Sequence, residues 1–266
     1  RGMIDSVTLA AGNAGTIKVS ADDITLDGMG YLAVITSGAF ADSSGQTGNV
    51  HVSATRSITL RDIATIDATN SATVTNPERI SPKQITVTAP RITLEDIGVI
   101  NTRSTGNIAA SNITINTDKL LLDTSHIATI ANEGNGGAIT VHGNGLLLTN
   151  SRITTSVTGT HGNGGDIAIH ATALALNTGF IQANTNANEA KGGDVTMDVK
   201  ALAPSAGNSL FLGGSTPHTF QSGRFGYNVI QAAAPTGLNG EIHTTALTID
   251  ISGALAGLSA PKLDVG

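Results

Sequence analysis

The sequence predicts an all-β fold, a right-handed parallel β-helix (β-solenoid) with three strands per coil, about eight to nine coils and a C-terminal cap. Three observations predict it. A glycine-flanked motif recurs along almost the whole of the 266 residues. Within each copy apolar and polar residues alternate over about four positions, the period of a strand with one buried face. No stretch sustains a 3.6-residue apolar period for three turns, so helix is a minor component at most.

The elements follow in order. Gly12-Asn13-Ala14-Gly15-Thr16-Ile17-Lys18-Val19-Ser20 opens the first complete copy, and Ile24-Thr25-Leu26 continues it. Gly45-Gln46-Thr47-Gly48-Asn49-Val50-His51-Val52-Ser53 opens the next, continued by Ile58-Thr59-Leu60. Later copies begin at Ile85, Ile113, Ile139, Ile167, Val195 and Ile242, at spacings of 33, 35, 28, 26, 28, 28 and 47 residues counted from Ile17. A third apolar stretch closes most copies, as at Leu32 to Ile35, Ile63 to Ile66, Ile97 to Ile100, Ile127 to Ile130, Ile153 and Ile181. One short strand cannot bury its inner face alone, so three per copy, stacked copy on copy, share a narrow core. Right-handed winding is expected from the general preference of parallel crossovers.

Glycine lies two and five residues before the first strand in five copies: Gly15 and Gly12, Gly48 and Gly45, Gly137 and Gly134, Gly165 and Gly162, Gly240 and Gly237. These are read as structural corner glycines, needing a positive φ or close backbone approach. Lys83 and Ser111 replace the glycine in the third and fourth copies, whose corners are expected to be built differently. The division is then 1–202 as parallel β-helix coils with a Thr/Asn/Ser/Pro-rich loop excursion at 69–83, 203–228 as an aromatic-containing excursion that caps the structure, and 229–266 as the last coil and C-terminal cap.

Composition narrows the function. The chain has 2 Tyr, 5 Phe, no Trp and no Cys, so aliphatic residues must build the core. A disulfide scaffold, a thiolate zinc site and a Cys nucleophile are excluded. A net charge of -6 gives no electrostatic footprint for nucleic acid or anionic lipid. No apolar run reaches the roughly 18 residues that span a bilayer, so membrane insertion is not expected.

The Gly-Asn-x-Gly-x-Ile corner, the ending Asn228-Val229-Ile230-Gln231-Ala232-Ala233-Ala234-Pro235 and the tail Asp250-Ile251-Ser252-Gly253-Ala254-Leu255 occur together. In this combination the chain resembles the C-terminal β-helical part of filamentous-haemagglutinin-like exoproteins of the two-partner secretion pathway. The resemblance implies export through an outer-membrane partner transporter and folding outside a Gram-negative cell, secreted or at its surface. It also implies a fragment whose first coil continues upstream. Such families serve as adhesins, biofilm-matrix binders, haemolysins, haem scavengers and contact-dependent toxins, with the repeats usually the stalk.

Four constellations invite chemistry. Gly162-Asn163-Gly164-Gly165-Asp166 and Gly192-Gly193-Asp194 look like pieces of a calcium nonapeptide, but ligands there renew every nine residues and here the period is near 28. Asp62 and Asp96 align before the third strand, as a glycan-cleaving pair would; a solvated ladder offset by Arg61 is the preferred reading. His142, His170 and Asp198 share one column, more often a row of exposed strand ends than a metal site. Phe211, Phe220, Phe225 and Tyr227 hold four of the seven aromatics and form either a sugar- or partner-binding patch or a cap over open strand edges, with the cap preferred.

The sequence therefore assigns no catalytic residue, no cofactor and no metal ligand. It points to a structural and adhesive stalk module that contacts surface glycan or matrix polysaccharide, with end-to-end self-association through the unpaired first coil around Ile4, Val7 and Leu9 also open. The opposing readings are an extracellular polysaccharide-cleaving enzyme and a self-assembling filament subunit.

Overall fold

β-Branched Ile, Val and Thr lose rotamer freedom in a helix but pack well on a pleated surface, and here they produce strand almost throughout. The computed structural model describes residues 2–40, 43–205 and 210–248. Of the segment 229–266 read as the last coil and C-terminal cap, residues 249–266 lie outside the described residues. In chain order the strands are β1 (Gly2–Thr8), β2 (Ile17–Asp27), β3 (Ala33–Ala39), β4 (Val50–Arg61), β5 (Ala64–Asn70), β6 (Gln84–Thr88), β7 (Arg91–Leu94), β8 (Val99–Ser104), β9 (Asn112–Asn116) and β10 (Lys119–Asp123). They continue with β11 (His126–Ala131), β12 (Ile139–His142), β13 (Gly145–Val157), β14 (Ile167–Thr185), β15 (Val195–Pro204), β16 (Leu210–Leu212), β17 (Asn228–Gln231), β18 (Ile242–Thr244) and β19 (Leu247–Thr248). A 3-10 turn, Pro77–Arg79, interrupts the loop that leaves β5.

All pairings between these strands are parallel. One ladder runs β2–β4–β6–β9–β12–β14–β15–β18 and a second β2–β4–β7–β10–β13–β14–β15–β19. Because β4 and β14 belong to both, the pairings close a ring, β4–β6–β9–β12–β14–β13–β10–β7, a closed parallel β-barrel of eight strands. A third ladder, β1–β3–β5–β8–β11–β13–β14–β17–β16, shares β13 and β14 with the ring.

This corrects the fold class expected from the sequence. The arrangement is a closed parallel barrel and not a β-helix or repeat solenoid of three strands per coil. Among the described residues the third and fourth copies contain three short strands each (β6 to β8, β9 to β11) and the seventh contains β15 to β17, two of them within its excursion; the first, second and fifth contain two each, and the sixth is one 19-residue strand, β14. The physical reason lies at the corners. Asn150 (φ 45°) and Thr178 (φ 59°) turn β13 and β14 with a single left-handed residue, so backbone pairing resumes at once and the strand passes through the expected break. The repeat survives as register, not as a recurring three-strand unit.

That register holds along each ladder, with one shift between Ala21 and Asp23 where β2 pairs with β4. Ile17, Val50, Ile85, Ile113, Ile139, Ile167, Val195 and Ile242 are partners in succession along the first ladder. Ile24, Ile58, Ile92, Leu120, Leu146, Leu174 and Leu202 stand in line along the second. These columns, with Ile66, Ile100, Ile127, Ile153 and Ile181 of the third ladder, form one aliphatic core. Each full burial of such a side chain contributes about 1.5–3 kcal/mol.

The corner glycines are positions of contact between successive copies. A Cβ on Gly48, Gly137, Gly165 or Gly240 would overlap the carbonyl oxygen of Gly15, Ser111, Gly137 or Gly193, and one on Gly45, Gly162 or Gly237 that of Gly12, Gly134 or Ala190. Gly15, at the first corner, would meet only the Ser6 hydroxyl, at 3.0 Å. Gly12, Gly134 and Gly162 also adopt φ of +114°, +101° and +119°, a region L side chains rarely enter.

Candidate functional site

Period-2 alternation along the third ladder sends Ile127, Ile153 and Ile181 inward and their neighbours outward. On β11, β13 and β14 the outward residues are His126, Ala128 and Ile130; Arg152, Thr154 and Ser156; and Phe180, Gln182 and Asn184. In register, His126 stands beside Arg152 and Arg152 beside Phe180, while Thr154 stands beside Gln182.

The excursion folds back over this face. After β16 the chain crosses β14 and returns through β17, which inserts between β14 and β16. Gln231, fully buried, holds the crossing: its Nε2 donates to the carbonyls of Gly213 (3.1 Å) and Thr216 (2.9 Å), and its Oε1 accepts from the His218 N–H (3.0 Å) and from Gln182 Nε2 (3.1 Å). Thr178 Oγ1 donates to the Arg224 carbonyl (2.7 Å), and the Gly223 N–H donates to Asn150 Oδ1 (2.9 Å). The two left-handed corner residues thus also fasten the loop.

The aromatic residues pack edge to face. Buried Phe180 meets Phe220 at 5.1 Å and Tyr227 at 5.2 Å between ring centroids, and Tyr227 meets Phe211 at 5.5 Å. The Tyr227 hydroxyl lies 2.7 Å from His218 Nδ1. Arg224 stacks on Tyr227 at 4.1 Å, and Arg152 lies over Phe220 at 5.3 Å. Of the four aromatics singled out in the sequence, Phe220, Tyr227 and Phe211 are brought together; Phe225, 73% exposed, stands apart from them.

Between the loop and the ladder face lies a groove of about 280 Å³. Phe220 forms one wall, Arg152 and His126 stand at one end, and Thr154, Ser156, Gln182 and Asn184 line the floor. No carboxylate lines it. Arg152 makes no ion pair and its guanidinium no hydrogen bond among the described residues, and burial lowers its pKa. Burial, and then the charge of Arg152, push His126 down to about 4, so the imidazole is neutral near pH 7. The groove carries one cation, one neutral imidazole, one aromatic wall and a floor of hydroxyls and amides.

The other sequence candidates are placed elsewhere. Asp62 and Asp96 occupy left-handed corners (φ 54° and 47°) beside a cavity of about 650 Å³ that also touches Asp27, Arg61 and Glu95; Asp62 Oδ2 accepts from the Gly30 N–H at 2.6 Å. His142 and His170 stack with centroids 5.0 Å apart, and His170 Nδ1 lies 3.8 Å from Asp198. No group of three or more ligand side chains among the described residues is arranged to hold a metal. In the calcium-like segment, Asn163 Oδ1 accepts from the Lys191 N–H (2.9 Å) and Asp166 Oδ1 from the Asp194 N–H (2.8 Å), so both oxygens tie one corner to the next.

The sequence reading missed Arg152, His126, Gln182 and Asn184. A signal was present, because they alternate with Ile127, Ile153 and Ile181 at the spacing that puts them outside. No family model, curated protein or solved structure matches this chain, so no family match stands behind two-partner secretion or an adhesin.

Proposed function

We propose that this chain is a structural and adhesive module of an exported bacterial protein, and that it contacts extracellular glycan through the groove between the 213–227 loop and the outer face of β11, β13 and β14. The groove itself carries the proposal. An aromatic ring offers a flat apolar surface to the C–H face of a pyranose, and amide and hydroxyl side chains match its ring of hydroxyls. Strands locked in register hold these groups before any ligand arrives, which lowers the ordering cost of binding.

The absence of a carboxylate from the groove lining favours binding over cleavage, because glycoside hydrolysis generally needs a pair of them across the scissile bond. Asp62 and Asp96 lie at a different corner, one of them accepting a backbone N–H. A chain with no Cys is compatible with passage through a transporter in an unfolded state. Among the described residues no helix is long and apolar enough to cross a membrane. The filamentous-haemagglutinin-like motifs of the corners are the sequence support for this setting.

The test is a polysaccharide panel scored by affinity electrophoresis with parent, Phe220→Ala and Gln182→Ala proteins. Retardation by at least one glycan, lost in both variants, is expected. Release of reducing ends that disappears in Asp62→Asn and Asp96→Asn would replace this reading with an enzymatic one.

A further inference from the structure

We infer that the groove takes an acidic saccharide, a uronate unit of a polysaccharide, and that Arg152 is the residue that pairs its carboxylate. The inference rests on the glycan reading above and adds the class of sugar.

A half-buried guanidinium has given up part of its hydration, and that loss is normally offset by a carboxylate or by hydrogen bonds. Arg152 has neither among the described residues. The surface arginines Arg56 and Arg61 do: each pairs with an aspartate of the preceding copy, Asp23 and Asp27. Arg152 stacks on the Phe220 ring instead, which leaves its N–H groups without an acceptor. A planar carboxylate matches the guanidinium fork with two parallel hydrogen bonds, and a uronate presents one beside hydroxyls that suit Thr154 and Gln182.

The surroundings do not neutralise this charge. The column of Arg152, through His126, Val99 and Thr65, holds no carboxylate; Asp67 stands in the neighbouring column, in register with Thr154, three strand steps of roughly 4.8 Å each from β13. Its Oδ2 already accepts from Thr69 Oγ1 at 2.8 Å. His126, the register partner of Arg152, is neutral near pH 7 and adds a hydrogen-bonding edge without a second charge. The chain as a whole carries -6, so a polyanion is repelled at long range and any preference for it must come from this local contact.

The experiment measures affinity by calorimetry for oligogalacturonate, oligomannuronate and hyaluronan fragments, each beside its carboxyl-reduced neutral counterpart. At least one acidic oligosaccharide is expected to bind tenfold or more tightly than its reduced form. Arg152→Gln should abolish that difference, and Arg152→Lys, which keeps the charge and loses the fork, should retain part of it. Circular dichroism confirms that both variants fold. Equal affinity for acidic and reduced forms, or a preference unchanged in Arg152→Gln, overturns the acidic class while the glycan reading stands. Binding to no saccharide of either kind overturns both.

Discussion

Thr129, fully buried in β11, donates its hydroxyl to the carbonyl oxygen of Gly137 at 2.6 Å. Its register partners do the same, Thr102 to the Ser111 carbonyl at 2.6 Å and Thr155 to the Gly165 carbonyl. The third ladder is thereby tied to the corner that leads into the first ladder, across an interior otherwise filled by aliphatic side chains. Val has the shape of Thr without the donor, so Thr129→Val leaves a buried carbonyl short of its partner. The expected loss is about 1–3 kcal/mol in urea unfolding. A midpoint equal to the parent's would mean that the carbonyl is satisfied some other way.

The same corner fixes a second expectation. A Cβ on Gly165 would overlap the Gly137 carbonyl oxygen, a backbone atom with no room to retreat. Gly165→Ala is predicted to cost about 3 kcal/mol or to prevent folding, as overpacking does. Gly145 at the start of β13 has nothing within 4 Å of its would-be Cβ. Gly145→Ala is expected to leave stability unchanged or to raise it by about 0.5 kcal/mol through the unfolded chain. Thermal melts of the two variants side by side separate close approach from a general intolerance of alanine.

These corners also show how much of the molecule was legible in the sequence. Alternating β-branched residues placed Ile17 and Val50 in register, and Ile113 with Ile139, because a one-residue slip would turn every apolar side chain outward. Where strands end was less legible. Asn150 and Thr178 turn the chain in a single left-handed step; Asn150 and the Gly179 that follows Thr178 are residues compatible with a bend, but a lone Asn or Gly inside an apolar-polar alternation does not fix where pairing breaks. The outer residues of the groove follow from alternation, but its wall does not. Phe220 reaches Arg152 from 68 positions along the chain, and what returns it is the buried amide of Gln231, which from sequence alone reads like any other Gln.

His126 sets a pH dependence. Its folded pKa is pushed down to about 4 from an ordinary 6.5, chiefly by burial and then by the charge of Arg152. Between those values the unfolded chain binds a proton that the folded chain refuses. Stability from this group is therefore fully present above pH 6.5 and is lost as pH falls toward 4, by an amount on the order of 3 kcal/mol at most. Asp67 acts in the opposite sense, since burial raises its carboxyl above 3.8 and the folded chain takes up that proton first. Urea titrations between pH 6.5 and 5 on the parent and on His126→Asn separate the histidine from Asp67. His126→Asn should flatten the slope there; an unchanged slope would assign it to another group.

Gln231 carries the last prediction. Its amide satisfies the Gly213 and Thr216 carbonyls and the His218 N–H while also receiving Gln182, so one side chain links the loop, β17 and β14. Gln231→Leu keeps the volume and removes these bonds together with the longer ones to the Gly214 carbonyl and from Asn184 Nδ2, leaving buried partners unpaired at about 1–3 kcal/mol each unless the loop lifts into water. Lifting is the cheaper outcome, because the aliphatic core beneath does not include residues 213–227. Trypsin cleavage after Arg224 should therefore speed up tenfold or more while the main unfolding transition moves little. Glycan affinity should fall with it, since Phe220 leaves the groove. Unchanged protection at Arg224 would shift the anchoring role to the bonds from Thr178 and Asn150, which Thr178→Val and Asn150→Ala then test directly.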